Sequence, residues 1–167
     1  NNNIYVEGIK GVDQTDIINA NKLGYKIKLL GVSEIINKKI IQRVHPSFID
    51  KFSYIASIDG VLNAVIVDGE PVGRSVIQGQ GAGPEATTSA LISDISSVLR
   101  GNIKYPFSIS DKERKKLKFD SILNQSFSAY IRLDVIDQPG VLSNITSEFS
   151  KYKVSIKRLI QNPLKSK

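Results

Sequence analysis

At 167 residues the chain can bury one good core or two small ones, and its 41% hydrophobic and 23% charged residues are ordinary globular values. It has no cysteine and a single histidine, His45, which excludes a disulfide framework, a thiolate zinc site, a thiol nucleophile and a multi-histidine metal centre. The net charge of +7 raises a nucleic-acid reading, but the basic residues are spread thinly, dense only in "DKERKKLKFD" (111–120) and "KYKVSIKR" (151–158). Neither stretch has the form of a groove-reading helix or an aromatic stacking platform, so no nucleic-acid partner is expected. No apolar run approaches the roughly 20 residues of a membrane span, and no membrane partner is expected. The chain lacks methionine and opens "NNNIYVEG", an entry into a strand, which reads as an internal piece of a larger protein.

In chain order, "DQTDIINANKL" (13–23) predicts a short helix, with Asp13 as N-cap, Asp16 in the first turn and Gly24 as the stop. Its apolar face is expected to carry Ile17, Ala20 and Leu23. "YKIKLLGVSEII" and "KKIIQRVHP" then predict two antiparallel strands joined at "NKK", with Pro46 ending the second because it cannot donate to a ladder. The clearest hairpin is "VLNAVIVDGEPVGRSVIQG", where Val61–Val67 and Val72–Ile77 flank the turn "DGEP". A helix follows from Pro84 to Leu99, with Pro84 in the first turn and Glu85 beside the positive end of the dipole. Its buried stripe is expected at Thr88, Leu91, Ile95 and Val98, with Ile92 and Leu99 beside it.

Residues 101–126, polar and lysine-rich with Pro106, read as a linker holding one short ordered piece. A second unit follows over 127–167: strand "FSAYIRLDVID", turn "QPG", helix "VLSNITSEFSKY" and strand "VSIKRLIQN". This is a βαβ pattern too small to bury both faces of a sheet, so the unit reads as unfinished. The fold class expected is therefore α+β, a mostly antiparallel sheet with helices on one face followed by a partial βαβ unit.

Between the hairpin and its helix lies "GQGAGPEATT", with glycines at 79, 81 and 83. A dinucleotide fingerprint needs a parallel βαβ unit, and here the preceding unit is an antiparallel hairpin; a P-loop ends in Lys-Ser/Thr, which is absent. Two readings stay open on the residues alone: a tight strand-to-helix turn, or a close approach of backbone to a bound group.

The blocks "IYVEGI", "LGYKIKLLG", "RVHP", "DGVLNAVIVDGEPVG" and "GQGAGPEATTSA", in this order, resemble homoserine dehydrogenase over residues 4–100. That resemblance implies that residues 1–100 are part of the family's substrate-binding and dimerisation domain, and that Gly83, with Gly81 and Ala82, approaches an NAD(P) cofactor. It implies an NAD(P)-dependent interconversion of L-homoserine and L-aspartate 4-semialdehyde in threonine and methionine biosynthesis, in a cytoplasmic homodimer or higher homo-oligomer. The family's lysine-bearing helix and Rossmann domain lie before the "YVEGI" block, so no catalytic residue and no metal ligand is assigned in this chain. Lys22, Lys26 and Lys28 fall in the wrong block for the catalytic lysine. Glu7 is read as structural, and His45 as a satisfied strand-end histidine rather than a proton shuttle.

"LDVIDQPGVLSNITSEFSKYKVSI" resembles the start of an ACT domain. By that resemblance Asp137, Gly140, Val141 and Leu142 are the effector-binding candidates, with Pro139 pre-setting the turn and threonine as the family's usual effector. The rival is a stand-alone amino-acid-binding regulatory module without catalysis; the glycine block argues against it, because a sensor has no use for that loop.

Overall fold

The computed structural model describes residues 4–102, 105 and 108–162. Pro106 and the three asparagines that open the chain lie outside the described residues. The largest sheet is mixed, with the long strand β3 (Lys39–Asp50) at its centre. Along one edge β3 pairs antiparallel with β2 (Tyr25–Ile36), from Tyr25↔Asp50 to Ile36↔Lys39. Along the other it pairs parallel with β1 (Ile4–Val6), Val6 facing Val44, and Lys39 and Ile40 pair parallel with a two-residue strand, Lys118–Phe119. Among its described residues the lysine-rich stretch holds that short strand and a 3-10 turn at Ile122–Asn124.

The β2–β3 connection is a two-residue turn in which Asn37 and Lys38 both take positive φ, 50° and 62°. This mirror-image turn matches the right-handed twist of the strands it joins, and Asn is among the residues that tolerate it best. Pro46 does not end β3, contrary to expectation; the strand runs on to Asp50 with Pro46 opposite Leu29. The reason lies in the period of two. The Glu7 N–H donates to the Val44 carbonyl (2.8 Å), so residues 44 and 46 direct their backbone groups to the β1 edge, and β1 has ended before Pro46. The missing N–H falls where no strand needs it.

Helix α1 (Gln14–Lys22) begins as expected, and more completely. Asp13 accepts from the Asp16 N–H (3.0 Å) while the Asp16 carboxylate accepts from the Asp13 N–H (3.0 Å), a reciprocal capping box. Its buried face differs from expectation. Ala20 is buried, but Ile17 is exposed and the other buried positions are Asp16 and Asn19. The helix turns a polar stripe inward because residues far along the chain satisfy it. Tyr130 Oη donates to Asp16 (3.0 Å), Arg132 reaches both Asp16 (2.9 Å) and Asp13 (2.6 Å), and the Asn162 amide donates to Asn19 (3.1 Å).

A second sheet is the hairpin β4 (Leu62–Gly69) and β5 (Gly73–Gln80). Its turn sits two residues later than the sequence suggests: Asp68 and Gly69 belong to β4, Gly69 faces Gly73, and Glu70, Pro71 and Val72 make the reversal. The paired Asp68 and Arg74 close it with two hydrogen bonds, 2.7 and 2.9 Å. Helix α2 spans Pro84–Leu99, as expected. Its apolar stripe, however, is not buried: Thr88, Leu91, Ile92, Ile95, Val98 and Leu99 are all exposed, because no described element covers that face.

In the C-terminal unit α3 (Val141–Lys151) forms as expected. The two flanking strands do not: residues 127–137 and 154–162 carry no ladder among the described residues. A strand needs a neighbour's backbone, and the two segments meet only through side chains, as in Lys157 Nζ to Ser128 Oγ (2.8 Å). They pack instead toward α1, β2 and β3, with Tyr130 stacked on Phe48 at 4.6 Å, Arg43 over Phe127 and Arg158 over Tyr25.

Candidate functional site

The glycine loop is fixed at both ends. At its start, β5 ends at Gln80 and the Gly81 N–H donates to the Val61 carbonyl (2.9 Å), continuing the hairpin ladder one step. At its end, Gly83 is the N-cap of α2, and its carbonyl accepts from both the Thr87 N–H (3.1 Å) and the Thr87 hydroxyl (2.9 Å). Gly83 takes φ 121° and ψ 148°, a conformation that L side chains rarely adopt. A Cβ built there would have only Glu85 Oε2 nearby, at 3.8 Å, so the space above Gly83 is open. The three residues expected to face a cofactor, Gly81, Ala82 and Gly83, are thus consecutive backbone at a helix N-terminus, all exposed. Pro84 in the first turn spares the helix one unsatisfied donor, and the remaining free N–H groups sit at the positive end of the dipole.

The second candidate lies in the C-terminal unit. Gly140 caps α3 with φ 90°, left-handed, and no atom lies within 4 Å of where its Cβ would be. The Gly140 carbonyl accepts from Asn144 (3.0 Å), and the Val141 N–H reaches back to Gln138 (3.3 Å). Asp137 is exposed, Val141 half-buried and Leu142 exposed. The turn is therefore an open, exposed helix start with a glycine in the left-handed region, and the four expected residues are local to it.

The lysines excluded on sequence are occupied structurally. Lys26 and Lys28 both hold Asp59, at 3.0 and 2.5 Å, and also donate to the Ala56 and Ile58 carbonyls. The Lys28 and then the Lys26 contact keep the Asp59 carboxyl below the usual carboxylate range. Lys22 donates to Asn162 (3.0 Å). Glu7 accepts from Tyr5 Oη (2.9 Å), and this bond and the Glu7 charge push the Tyr5 phenol up. His45 stands in mid-β3 with Nδ1 3.2 Å from Ser47 Oγ and its ring edge-on to Tyr5. Tyr5, Glu7, Arg43 and His45 line a shallow cavity of about 230 Å³ with Ile122, Phe127 and Ser128. The glycine loop lines neither this cavity nor the one along α1 and β2. Among the described residues no three His, Cys, Asp or Glu side chains cluster to hold a metal, and no helix is long and apolar enough to cross a membrane.

Sequence reasoning missed Tyr130, Arg132 and Asn162, which act across more than 100 residues of sequence, where no local pattern could signal them.

The family model for homoserine dehydrogenase matches residues 1–96. Homoserine dehydrogenase from Neisseria gonorrhoeae is 37% identical over 163 residues, and that from Helicobacter pylori 34% identical over 161. These alignments cover 94% and 96% of this chain and 38% of each relative, so the chain spans well under half the length of the curated relatives it matches. Among solved structures, a homoserine dehydrogenase from Thiobacillus denitrificans superposes with a TM-score of 0.70 at 29% identity, covering 96% of this chain and 38% of that one. The S. aureus homoserine dehydrogenase at pH 6.5 gives 0.55 at 41% identity over 63% of this chain and 27% of that one. The glycine loop and the hairpin that holds it therefore sit in a chain that belongs to the homoserine dehydrogenase family.

Proposed function

We propose that this chain forms part of an enzyme that interconverts L-homoserine and L-aspartate 4-semialdehyde with NAD(P), in the biosynthesis of threonine and methionine. Residues 1–100 contribute to the substrate and dimerisation domain, 101–126 connect, and 127–167 belong to an ACT-like regulatory unit. The observation that carries the reading is Gly83: its φ of 121° and the open space above it describe a backbone cradle that any side chain would fill. Gly81, Ala82 and Gly83 would back the cofactor, and their rigid attachment to β5 and α2 would fix its distance from the substrate. The bound cofactor would supply or accept the hydride. This chain's own part is to keep the loop's backbone pre-aligned and to carry the assembly surface. The lysine that handles the proton is proposed to lie outside residues 1–167.

The exposed apolar faces of α2 and of the β4–β5 hairpin support assembly as a homodimer or larger homo-oligomer. The left-handed Gly140 and the free helix start behind Asp137 support amino-acid binding at Asp137, Gly140, Val141 and Leu142, with threonine as the first ligand to test. The deciding experiment is Gly83→Ala in the full-length enzyme, with melting temperature and cofactor affinity measured on the same preparation. Weaker cofactor binding in a folded variant supports the reading; unchanged binding returns the loop to a simple turn.

A further inference from the structure

The shallow cavity of about 230 Å³ beside β1 brings together charges of both signs. Its floor follows from the pleat. Tyr5 faces Arg43 across the β1–β3 ladder, so both side chains lie on one face of the sheet, and alternation puts His45 on that face too. The bond from the Glu7 N–H to the Val44 carbonyl (2.8 Å) carries the pairing one step past β1, which sets Glu7 alongside His45. An anion and a cation therefore stand on neighbouring strands, offset by two residues, or about 7 Å at ~3.3 Å per residue. The walls come from further along the chain. They are Ile122 in the 3-10 turn, and Phe127 and Ser128 at the start of the C-terminal unit, with the Phe127 ring 5.0 Å from the Arg43 guanidinium.

The fold leaves bonding capacity at both ends of this cavity. Glu7 accepts the Tyr5 hydroxyl through Oε2 (2.9 Å), and its Oε1 has no donor among the described residues. Arg43 gives Nη1 to Glu34 (2.5 Å), while its Nη2 and Nε bond to no other described residue. His45 Nδ1 lies 2.9 Å from the Pro46 carbonyl, which holds a proton on that nitrogen and makes Nε2 of the neutral ring an acceptor. The Ser128 hydroxyl accepts from Lys157 (2.8 Å) and keeps its own proton to donate. Counting Glu34 and Lys157, which hold Arg43 and Ser128, two carboxylates balance two cations around the cavity. A ligand of one sign would leave the opposite charge covered and unpaired, whereas a neutral molecule carrying both signs meets each. The volume lies below the roughly 300–1,000 Å³ of pockets for drug-sized ligands, so the occupant is small.

We propose that this cavity binds a small α-amino acid as its zwitterion. The ammonium group meets Glu7 and His45 Nε2, the carboxylate meets Arg43 and the Ser128 hydroxyl, and a short side chain packs on Ile122 and Phe127. The site is separate from the glycine loop and from the turn at Asp137–Leu142, neither of which lines it, and it rests on neither reading. Its occupant touches the sheet, the connecting stretch and the first residues of the C-terminal unit together.

Calorimetric titration of the full-length enzyme tests this with three probes: L-2-aminobutyrate, butyrate, which has only the carboxylate, and propylamine, which has only the ammonium. L-2-Aminobutyrate is expected to bind, and to slow amide exchange at residues 5–7 and 43–45; the two single-sign probes should bind at least tenfold more weakly. Glu7→Gln keeps the shape of an exposed side chain and is expected to weaken that binding about tenfold or more. Ser128→Leu fills the cavity from its exposed wall without touching either charge, and is expected to abolish it. Should Ser128→Leu fail to fold, Glu7→Gln with the exchange map carries the test. Gly83→Ala and Asp137→Asn, at the other two candidate sites, should leave this binding unchanged. Absence of binding, binding indifferent to both cavity variants, or binding lost in Asp137→Asn instead overturns the proposal. Butyrate or propylamine binding as tightly as the amino acid overturns the zwitterion assignment and the proposal with it.

Discussion

Replacing Tyr130 with phenylalanine removes one oxygen from the clasp that joins the C-terminal segments to α1. That oxygen donates to Asp16 Oδ1 at 3.0 Å and accepts a longer bond from Asn19 at 3.4 Å. The ring stays, still stacked on Phe48 at 4.6 Å, so packing is conserved and the hydroxyl is isolated as the variable. A hydrogen bond to a charged partner contributes about 1.5–3 kcal/mol net, but Arg132 continues to satisfy the same Asp16 oxygen at 2.9 Å. The lower end applies, and a loss of about 1.4 kcal/mol corresponds to a tenfold change in a local opening equilibrium. Amide hydrogen exchange on the full-length enzyme reads this directly: residues 14–22 should exchange roughly tenfold faster, while the β2–β3 ladder is unchanged. A second arm uses pH. Burial first, and then the bond to the Asp16 carboxylate, raise the Tyr130 phenol above its ordinary value, although the Asn19 contact opposes them. A raised value favours the neutral form in the folded state, so this stabilisation is complete below the unfolded pKa and is lost as pH rises through the folded one. The wild-type α1 should therefore lose protection at strongly alkaline pH more steeply than the phenylalanine variant. If α1 exchange changes by less than twofold at neutral pH, the polar clasp does not hold the helix and stacking on Phe48 is what matters.

Three further outcomes are expected. The Asp59 carboxyl is held low chiefly by Lys28 and then Lys26, so its contribution is present above the ordinary carboxylate range and lost as pH falls through the depressed value; Asp59→Asn should remove that acid dependence from the 26–29 segment, read by exchange between pH 5 and 2. The chain of residues 1–167 assayed with NAD and NADP should not oxidise homoserine, and turnover well above background would refute the placement of the catalytic lysine outside it. The same chain should self-associate at micromolar concentration through its uncovered apolar faces, and a monomeric mass by analytical ultracentrifugation would count against the assembly surface proposed for α2 and the hairpin.

What was legible in the sequence is what local chemistry decides. Pro84 after a glycine cluster marks the start of α2, and Asp13 with Asp16 three residues on marks the start of α1, because caps are short-range hydrogen bonds. Alternation in "YKIKLLGVSEII" marks β2 because a pleat sorts side chains by parity. What was not legible depends on partners. The apolar alternation of 127–137 announces a strand-like face but does not supply the neighbour whose backbone would complete it. Pro46 was misread because its tolerance is set by where β1 stops, two strand positions away on another element. The buried polar stripe of α1 could not be inferred from a helix that also carries Ile17 and Ile18, since it is Tyr130, Arg132 and Asn162 that make burying Asp16 and Asn19 favourable. For the glycine loop, the spacing showed that backbone freedom was wanted but not why. Only the structure separates Gly83, whose φ of 121° favours glycine, from Gly81, whose φ does not.

The two kinds of surface in this chain divide the work of holding it together. Its polar contacts are largely satisfied from within: Arg132 against the α1 capping box, Lys26 and Lys28 against Asp59, Arg74 against Asp68. Its apolar faces are not, for the buried hydrophobic residues among those described are only Ala20, Ile41 and Ala56, while Leu91, Ile92, Ile95 and Val98 on α2 stand exposed. Apolar burial is the dominant favourable term in folding, at about 25 cal/mol per Å², and polar pairs at a surface contribute little. Covering α2 and the hairpin, as the proposed assembly would, adds an apolar term that the described chain lacks by itself. The loop at Gly81–Gly83 is the exception that makes this arrangement workable. Its backbone is held by the β4–β5 ladder and by the first turn of α2, all within residues 61–87, and by no contact with the exposed faces.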